Sequence, residues 1–176
     1  ETATLQEIGR RVGLSMGTIY SVFPSKADLL AAILTDRGTK ILSLVEEVVR
    51  TSDSPKDSLK RLLEGYIDFF LGHTNFLRMH LRQGSAWILS PEAVDGSRVR
   101  VWSEIHRLQA DIFRRGLRDE SFVGDDPELM SKLFSAIDQV VLADWVGDGM
   151  KRSRESLVER MSRMVDRLFS RPLTAP

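Results

Sequence analysis

The side chains in this chain best placed for chemistry are small and hydroxyl-bearing, and they gather between Ser15 and Lys26. With Ile19, Val22 and Phe23 turned inward on a short predicted helix, Met16, Gly17, Thr18, Tyr20 and Ser21 are left facing outward. Hydroxyls in such a row can bond to base edges or phosphate oxygens, and Gly17 lets the backbone come close to a bulky polar surface. Ser15 caps the same helix, whose free N–H groups suit an anion. Lys26 opens the next helix, where a cation opposes the helix dipole; contact with a phosphate would explain that mild misfit. The chemistry on offer is recognition rather than turnover.

No catalytic set accompanies it. The sequence has no Gly-x-Ser-x-Gly turn, phosphate loop or paired-carboxylate motif, so no catalytic residue and no enzymatic activity is assigned. Cysteine is absent, which excludes a disulfide scaffold, a thiol nucleophile and a cysteine-ligated zinc. His73, His80 and His106 have no acidic residue at clear ligand spacing, so neither a metal nor a cofactor is expected.

The elements that position these residues are helices. Apolar residues recur at three- and four-residue spacing, strand-type alternation is missing, and prolines fall at the breaks, so the reading is all-α. Thr4 and Glu7 form a capping box that opens a helix over 5–12, closed by Gly13. Further helices are predicted over 16–22, 26–50, 55–73, 75–84, 91–118, 127–146 and 154–170.

Two short helices around a glycine turn have the geometry of a helix-turn-helix. Ile8 and Val12 supply the inner face of the first helix, and Gly9 is small where the two helices cross. Gly13 tolerates positive φ, Leu14 plugs the turn, and Ile19 and Val22 anchor the second helix. The competing reading is a compact helical pair with an exposed polar side. Arg10 and Arg11 stay open between phosphate contact and solvated surface. Helices this short leave an apolar side in need of a third partner, and a further helix is expected before Glu1.

The helix over 127–146 is apolar around most of its circumference, through Leu129, Met130, Leu133, Phe134, Ile137, Val140, Val141, Leu142 and Trp145. So wide a stripe needs cover on more than one side, one of them suited to a second subunit. The last helix carries a narrower seam of Leu157, Met161, Met164, Val165 and Leu168. Aromatic residues, Trp87 among them, concentrate between positions 66 and 145. A mainly apolar pocket with a few polar groups is expected among Tyr66, Phe69, Phe70, Trp102, His106, Phe134, Asp138 and Trp145. For any single one of these residues plain core is the favoured reading. Asp138 shares a helical face with Phe134, Val141 and Trp145, so its carboxylate needs a partner: a cationic ligand, an arginine, or His106, with a pair inside the protein favoured over a ligand.

Composition sets outer bounds. The 176 residues are 42% hydrophobic and 28% charged, which is ordinary for a globular chain. Lys plus Arg equals Asp plus Glu at 25 each, so a surface that coats nucleic acid everywhere is excluded and only a local patch fits. No apolar stretch approaches the ~20 residues of a membrane-spanning helix.

The run TLQEIGRRVGLSMGTIYSVFPSKADLL, from Thr4 to Leu30, resembles the DNA-binding segment of TetR-family transcriptional regulators. Gly17-Thr18-Ile19-Tyr20-x-x-Phe23-Pro24-Ser25-Lys26 is its most specific part. The resemblance covers residues 4–34, and the rest of the chain agrees only in length and helical character. It implies a helix-turn-helix domain over residues 1–30, lacking the first family helix, and a helical effector-binding and dimerisation domain over 31–176. It implies a cytoplasmic homodimer, usually a repressor, joined through its last two helices. Such a dimer binds a palindromic double-stranded operator and leaves it when a small apolar or amphipathic effector enters. Phosphate contacts carry over to Thr4, Tyr20 and Lys26, and base-reading positions to Ser15, Met16, Gly17, Thr18 and Ser21. Two other classes stand beside this reading: a helical interaction module without a DNA role, and an uncharacterised helical enzyme. The effector, the operator, the regulated genes and the sign of regulation are not written in the sequence.

Overall fold

The protein is described here by a computed structural model that covers residues 3–82 and 96–170. Eight helices make up the described residues, with no strand among them: α1 (Leu5–Arg11), α2 (Met16–Val22), α3 (Lys26–Thr51), α4 (Pro55–Gly72), α5 (Thr74–Arg82), α6 (Gly96–Arg118), α7 (Pro127–Gly147) and α8 (Arg154–Phe169). Trp87 and the helix start expected at Pro91 lie outside the described residues.

Side-chain caps decide where most of these helices begin. The Thr4–Glu7 capping box forms in both directions. Ser15, Ser25, Ser54 and Ser153 each accept a backbone N–H from the first turn of their helix, at 3.1, 3.2, 3.1 and 3.3 Å. Asp126 does the same for α7 at 2.9 Å. Each cap satisfies a donor that the helix cannot satisfy itself, a contribution of about 1 kcal/mol.

The helices α3, α4, α6, α7 and α8 share one core. α3 lies mainly along α6, α6 along α7, and α4 crosses both α3 and α8. At the centre Phe113 is fully buried and touches Phe169, Phe122 and Phe134, with ring centroids at 4.8, 5.5 and 6.2 Å. Phe122 reaches it from the α6–α7 connection because Gly116 carries no side chain; a Cβ there would sit 2.0 Å from the Phe122 ring. No helix among the described residues is long and apolar enough to cross a membrane.

The α1–α2 pair packs chiefly on itself. Leu5, Gly9 and Ile19 are buried in it. The expected inward residues Val12, Leu14 and Val22 are not: they are 63%, 47% and 61% exposed. They lie on the side of the pair that no described element covers. Helical phase gives the face a residue occupies, but burial of that face requires a partner.

Candidate nucleic-acid interface and core cavity

Chain geometry in the α1–α2 turn meets the demands of a duplex reader. Gly13 sits at φ +74°, and the Leu14 N–H closes the turn on the Gly9 carbonyl at 2.9 Å. A Cβ on Gly9 would lie 3.4 Å from Ile19, so the helices cross where the side chain is missing. The crossing fixes the second helix with residues 15–18, 20 and 21 exposed.

Local bonds divide these residues into two groups. Ser15 Oγ receives the Thr18 N–H and shares a 2.8 Å hydrogen bond with Thr18 Oγ1, while Ser21 Oγ donates to the Thr18 carbonyl at 2.8 Å. These hydroxyls are oriented by the helix yet keep lone pairs for an outside donor. Met16 and Tyr20 instead project outward, 42% and 47% exposed, with Gly17 between them, where a Cβ would meet only Ser15 Oγ. Thr4 is engaged with Glu7, whose carboxyl is held below its usual range by hydrogen bonds from the Thr4 backbone and hydroxyl. Lys26 is exposed at the start of α3.

The second constellation lies inside the core. Gln109 Nε2 on α6 donates to the Tyr66 hydroxyl on α4 at 2.9 Å, and Ser135 Oγ on α7 donates to Gln109 Oε1 at 3.2 Å. One helical turn from Ser135, Asp138 buries its Oδ1 with no hydrogen-bond partner among the described residues. Burial pushes the Asp138 carboxyl up to about 8, and burial beside that carboxyl pushes the Tyr66 phenol up as well.

Two small cavities meet at these residues. One, with about 20 Å³ open to the centre of a water molecule, is lined by Ile41, Tyr66, Phe70, His80, Trp102, Ile105, Gln109, Ser135 and Asp138. The other, about 10 Å³, is lined by Leu63, Tyr66, Phe134, Ile137, Asp138, Met161 and Val165. Each has room for no more than about one water. Five of the eight expected pocket residues are thus brought together: Tyr66, Phe70, Trp102, Phe134 and Asp138.

Phe69, His106 and Trp145 fall outside both linings. Phe69 packs on Phe70 and His73 at 5.4 and 4.7 Å. Trp145 donates its indole N–H to the Arg152 carbonyl at 3.1 Å and closes the α7–α8 turn. His106 is buried on α6, where desolvation and the nearby Lys132 charge pull it down to about 4. It is therefore neutral at neutral pH. The expected Asp138–His106 ion pair does not form, and Asp138 makes no ion pair with any described residue. Sequence reasoning missed Gln109 and Ser135. Gln109 could have been found, since it is a polar residue in helical phase with Ile105 and Phe113.

Asp138 carries a pH signature. Its folded-state value lies above the ordinary carboxylate value, so the native state holds a proton that the unfolded chain releases. Stability attached to that proton is complete below the ordinary carboxylate range and is lost as pH rises toward about 8. Asp138→Asn keeps the shape of the neutral acid. It should raise the thermal midpoint more at pH 8 than at pH 5, measured by circular dichroism; an equal gain at both would show that Asp138 does not titrate in this window.

A different surface is apolar and uncovered. Leu129, Leu133 and Val140 on α7 are 50%, 39% and 63% exposed, and Met164 and Leu168 on α8 are 38% and 47% exposed. Each set lies along one face of its helix, and the two helices pack on each other.

Residues 1–33 match the family described as bacterial regulatory proteins, tetR family. An uncharacterised HTH-type transcriptional regulator, YuxN of Bacillus subtilis strain 168, is 30% identical over 84 residues; the match spans 48% of this chain and 29% of YuxN. The chain thus spans under a third of that curated relative's length. Among solved structures, the TetR-family regulator PfmR of Thermus thermophilus superposes with a TM-score of 0.74 at 22% identity, over 96% of this chain and 90% of PfmR. FadR of Bacillus subtilis, solved in complex with stearoyl-CoA, gives 0.74 at 15% identity, over 93% and 87%.

Proposed function

We propose that this chain, which belongs to the TetR family through residues 1–33 and has the all-helical fold of TetR-family regulators, is a ligand-responsive DNA-binding transcriptional regulator acting as a cytoplasmic homodimer. Residues 1–30 read DNA, and residues 31–176 bind an effector and dimerise. The observation that carries the reading is the α1–α2 turn. Gly13 at positive φ and the close Gly9–Ile19 crossing hold α2 with Ser15, Met16, Gly17, Thr18 and Ser21 outward, and Thr4, Tyr20 and Lys26 flank them on exposed surface. In this reading the first five face base edges in the major groove and the last three meet phosphates.

The uncovered stripes of α7 and α8 support a dimer. Apolar side chains exposed in register on two neighbouring helices are suited to the same stripes on a second copy, forming a four-helix contact. Two recognition helices then face a palindrome with half-sites ~34–36 Å apart. Effector binding shifts the dimer toward a state whose spacing no longer fits, which is repression relieved by ligand. The effector site is the Tyr66–Asp138 cavity. A wider cleft of about 250 Å³ between the start of α4 and the end of α8 mixes Lys56 and Lys60 with Asp57 and Asp166 and contains no enclosed unsatisfied group. The core cavity therefore has the stronger claim.

The test is binding of the full-length protein to duplexes enriched from a random pool, titrated against salt, with light scattering on the same sample. A dimer and a steep salt dependence are expected; a monomer at micromolar concentration, or no duplex bound above the background pool, overturns the reading. Lys26→Ala should weaken binding uniformly across sequences. It should reduce the slope of log K against log salt by about 2, about one phosphate contact in each half-site.

A further inference from the structure

The wall of the core cavity contains a buried polar atom, Asp138 Oδ1, that no described residue satisfies. Gln109, Tyr66 and Ser135 are joined to one another, whereas Asp138 Oδ1 is enclosed with no hydrogen-bond partner among the described residues. A buried acceptor left open is a standing cost that an apolar residue at this position would remove. Asp138 also lies in the wall of both cavities, as does Tyr66. Beyond Gln109, Ser135 and His80 the wall is aromatic or aliphatic, from Phe70, Trp102, Phe134, Ile105 and Met161, and among the described residues neither lining contains an arginine or lysine.

Those surroundings select by charge. Ring faces attract cations through their quadrupole, and a carboxylate in a medium of low dielectric attracts them far more strongly than it would in water. An anion would meet Asp138 with no lysine or arginine beside it among the described lining residues, His80 being the one basic side chain there. An uncharged hydrocarbon would leave Oδ1 as it is.

We propose that this cavity takes an organic cation, a quaternary or protonated ammonium on a small apolar frame, with its charge held against Asp138 among the rings of Tyr66, Phe70, Trp102 and Phe134. The inference rests on the reading of the helical domain as effector-binding and names the ligand class that the reading leaves open. Tyr66 and Asp138 form the partition between the two chambers. Entry of such a ligand parts them, breaks the Tyr66–Gln109 hydrogen bond, and makes one chamber extending from Trp102 to Met161.

Binding must also displace a proton, because burial keeps the empty site's carboxyl neutral below about pH 8. Other groups around the site are accounted for. Tyr66 from α4 is pushed above its ordinary range, His106 on α6 stays neutral above about 4, and Lys132 on α7 acts on His106. α3 contributes Ile41, and α8 contributes Met161 and Val165. His80 from α5 is stacked on Trp102 at 5.6 Å and is the remaining imidazole in the lining.

The experiment uses benzyltrimethylammonium, whose charge does not titrate, and its uncharged carbon isostere neopentylbenzene. Binding of each to the full-length protein is followed by ligand-detected NMR from pH 6 to 9. The cation should bind at least tenfold tighter than the isostere at pH 8. Its affinity should rise about tenfold per pH unit below about 8 and level off above. Asp138→Asn, checked for folding by circular dichroism, should remove both the preference and that slope. Equal affinities, no binding of the cation, affinity falling as pH rises, or wild-type cation binding by a folded Asp138→Asn protein each overturn the proposal. Duplex binding is measured on the same preparation. Retained duplex binding beside a failed cation test sinks only this inference, while a cation bound by a protein that binds no duplex sinks only the regulator reading.

Discussion

A chain carrying Gly17→Glu is expected to keep its fold and lose its grip on DNA. A Cβ at Gly17 meets only Ser15 Oγ, at 3.9 Å, so the core does not feel the change. Replacing a helical glycine by glutamate gains about 0.5–1 kcal/mol of helix propensity, and an acid in the first turn suits the dipole. The same side chain puts bulk and negative charge on the surface assigned to the major groove, once per subunit. At about 1–3 kcal/mol for each spoiled contact, the two copies should weaken duplex binding roughly 10²–10⁴-fold. Thermal midpoint and duplex affinity should therefore move in opposite senses. A folded variant that binds as tightly as wild type would remove α2 from the interface.

Phe113→Ala should cost stability on the scale of a whole domain. Its ring is shared by α6, α7, α8 and the α6–α7 connection through Phe134, Phe169 and Phe122. Deleting a buried phenyl costs about 3–5 kcal/mol, against totals of about 5–15 for a typical domain. In a chain of this length that is a fall in the thermal midpoint of about 10 °C. Chemical denaturation would read the same loss as a lower midpoint with unchanged slope. A loss below about 1 kcal/mol would mean that Phe122 and Phe169 close over the gap.

Much of this architecture is legible residue by residue, because the signals that start and stop helices are local. Thr4, Ser15 and Ser25 announce their helices by a side chain that can reach a first-turn N–H, and each does so. Gly13 announces its turn by tolerating a φ of +74°. Non-local facts are less readable. Val12, Leu14 and Val22 have the phase of inward residues, yet their exposure depends on what else packs there. Trp145 sits on the same helical face as Asp138, but a carbonyl from Arg152, beyond the end of its own helix, claims its indole. For the core cavity the sequence yields the acidic residue and most of the aromatic wall. It does not yield the Tyr66–Gln109–Ser135 chain, which exists only because three separated helices bring those groups within hydrogen-bonding reach.

Helix α3 runs without interruption from Lys26 to Thr51, and Ile41 in its middle lines the core cavity. From Ile41 to Lys26 is 15 residues, about 22 Å of stiff rod at the helical rise. Tilting that rod by about 10° at the cavity would swing its far end by about 4 Å, a displacement comparable to a base-pair step. A dimer that swings both rods apart changes their separation by about twice as much. In the proposed dimer, one continuous lever would turn a rearrangement no larger than a side-chain rotation into a mismatch of register, with no joint needed between the two ends.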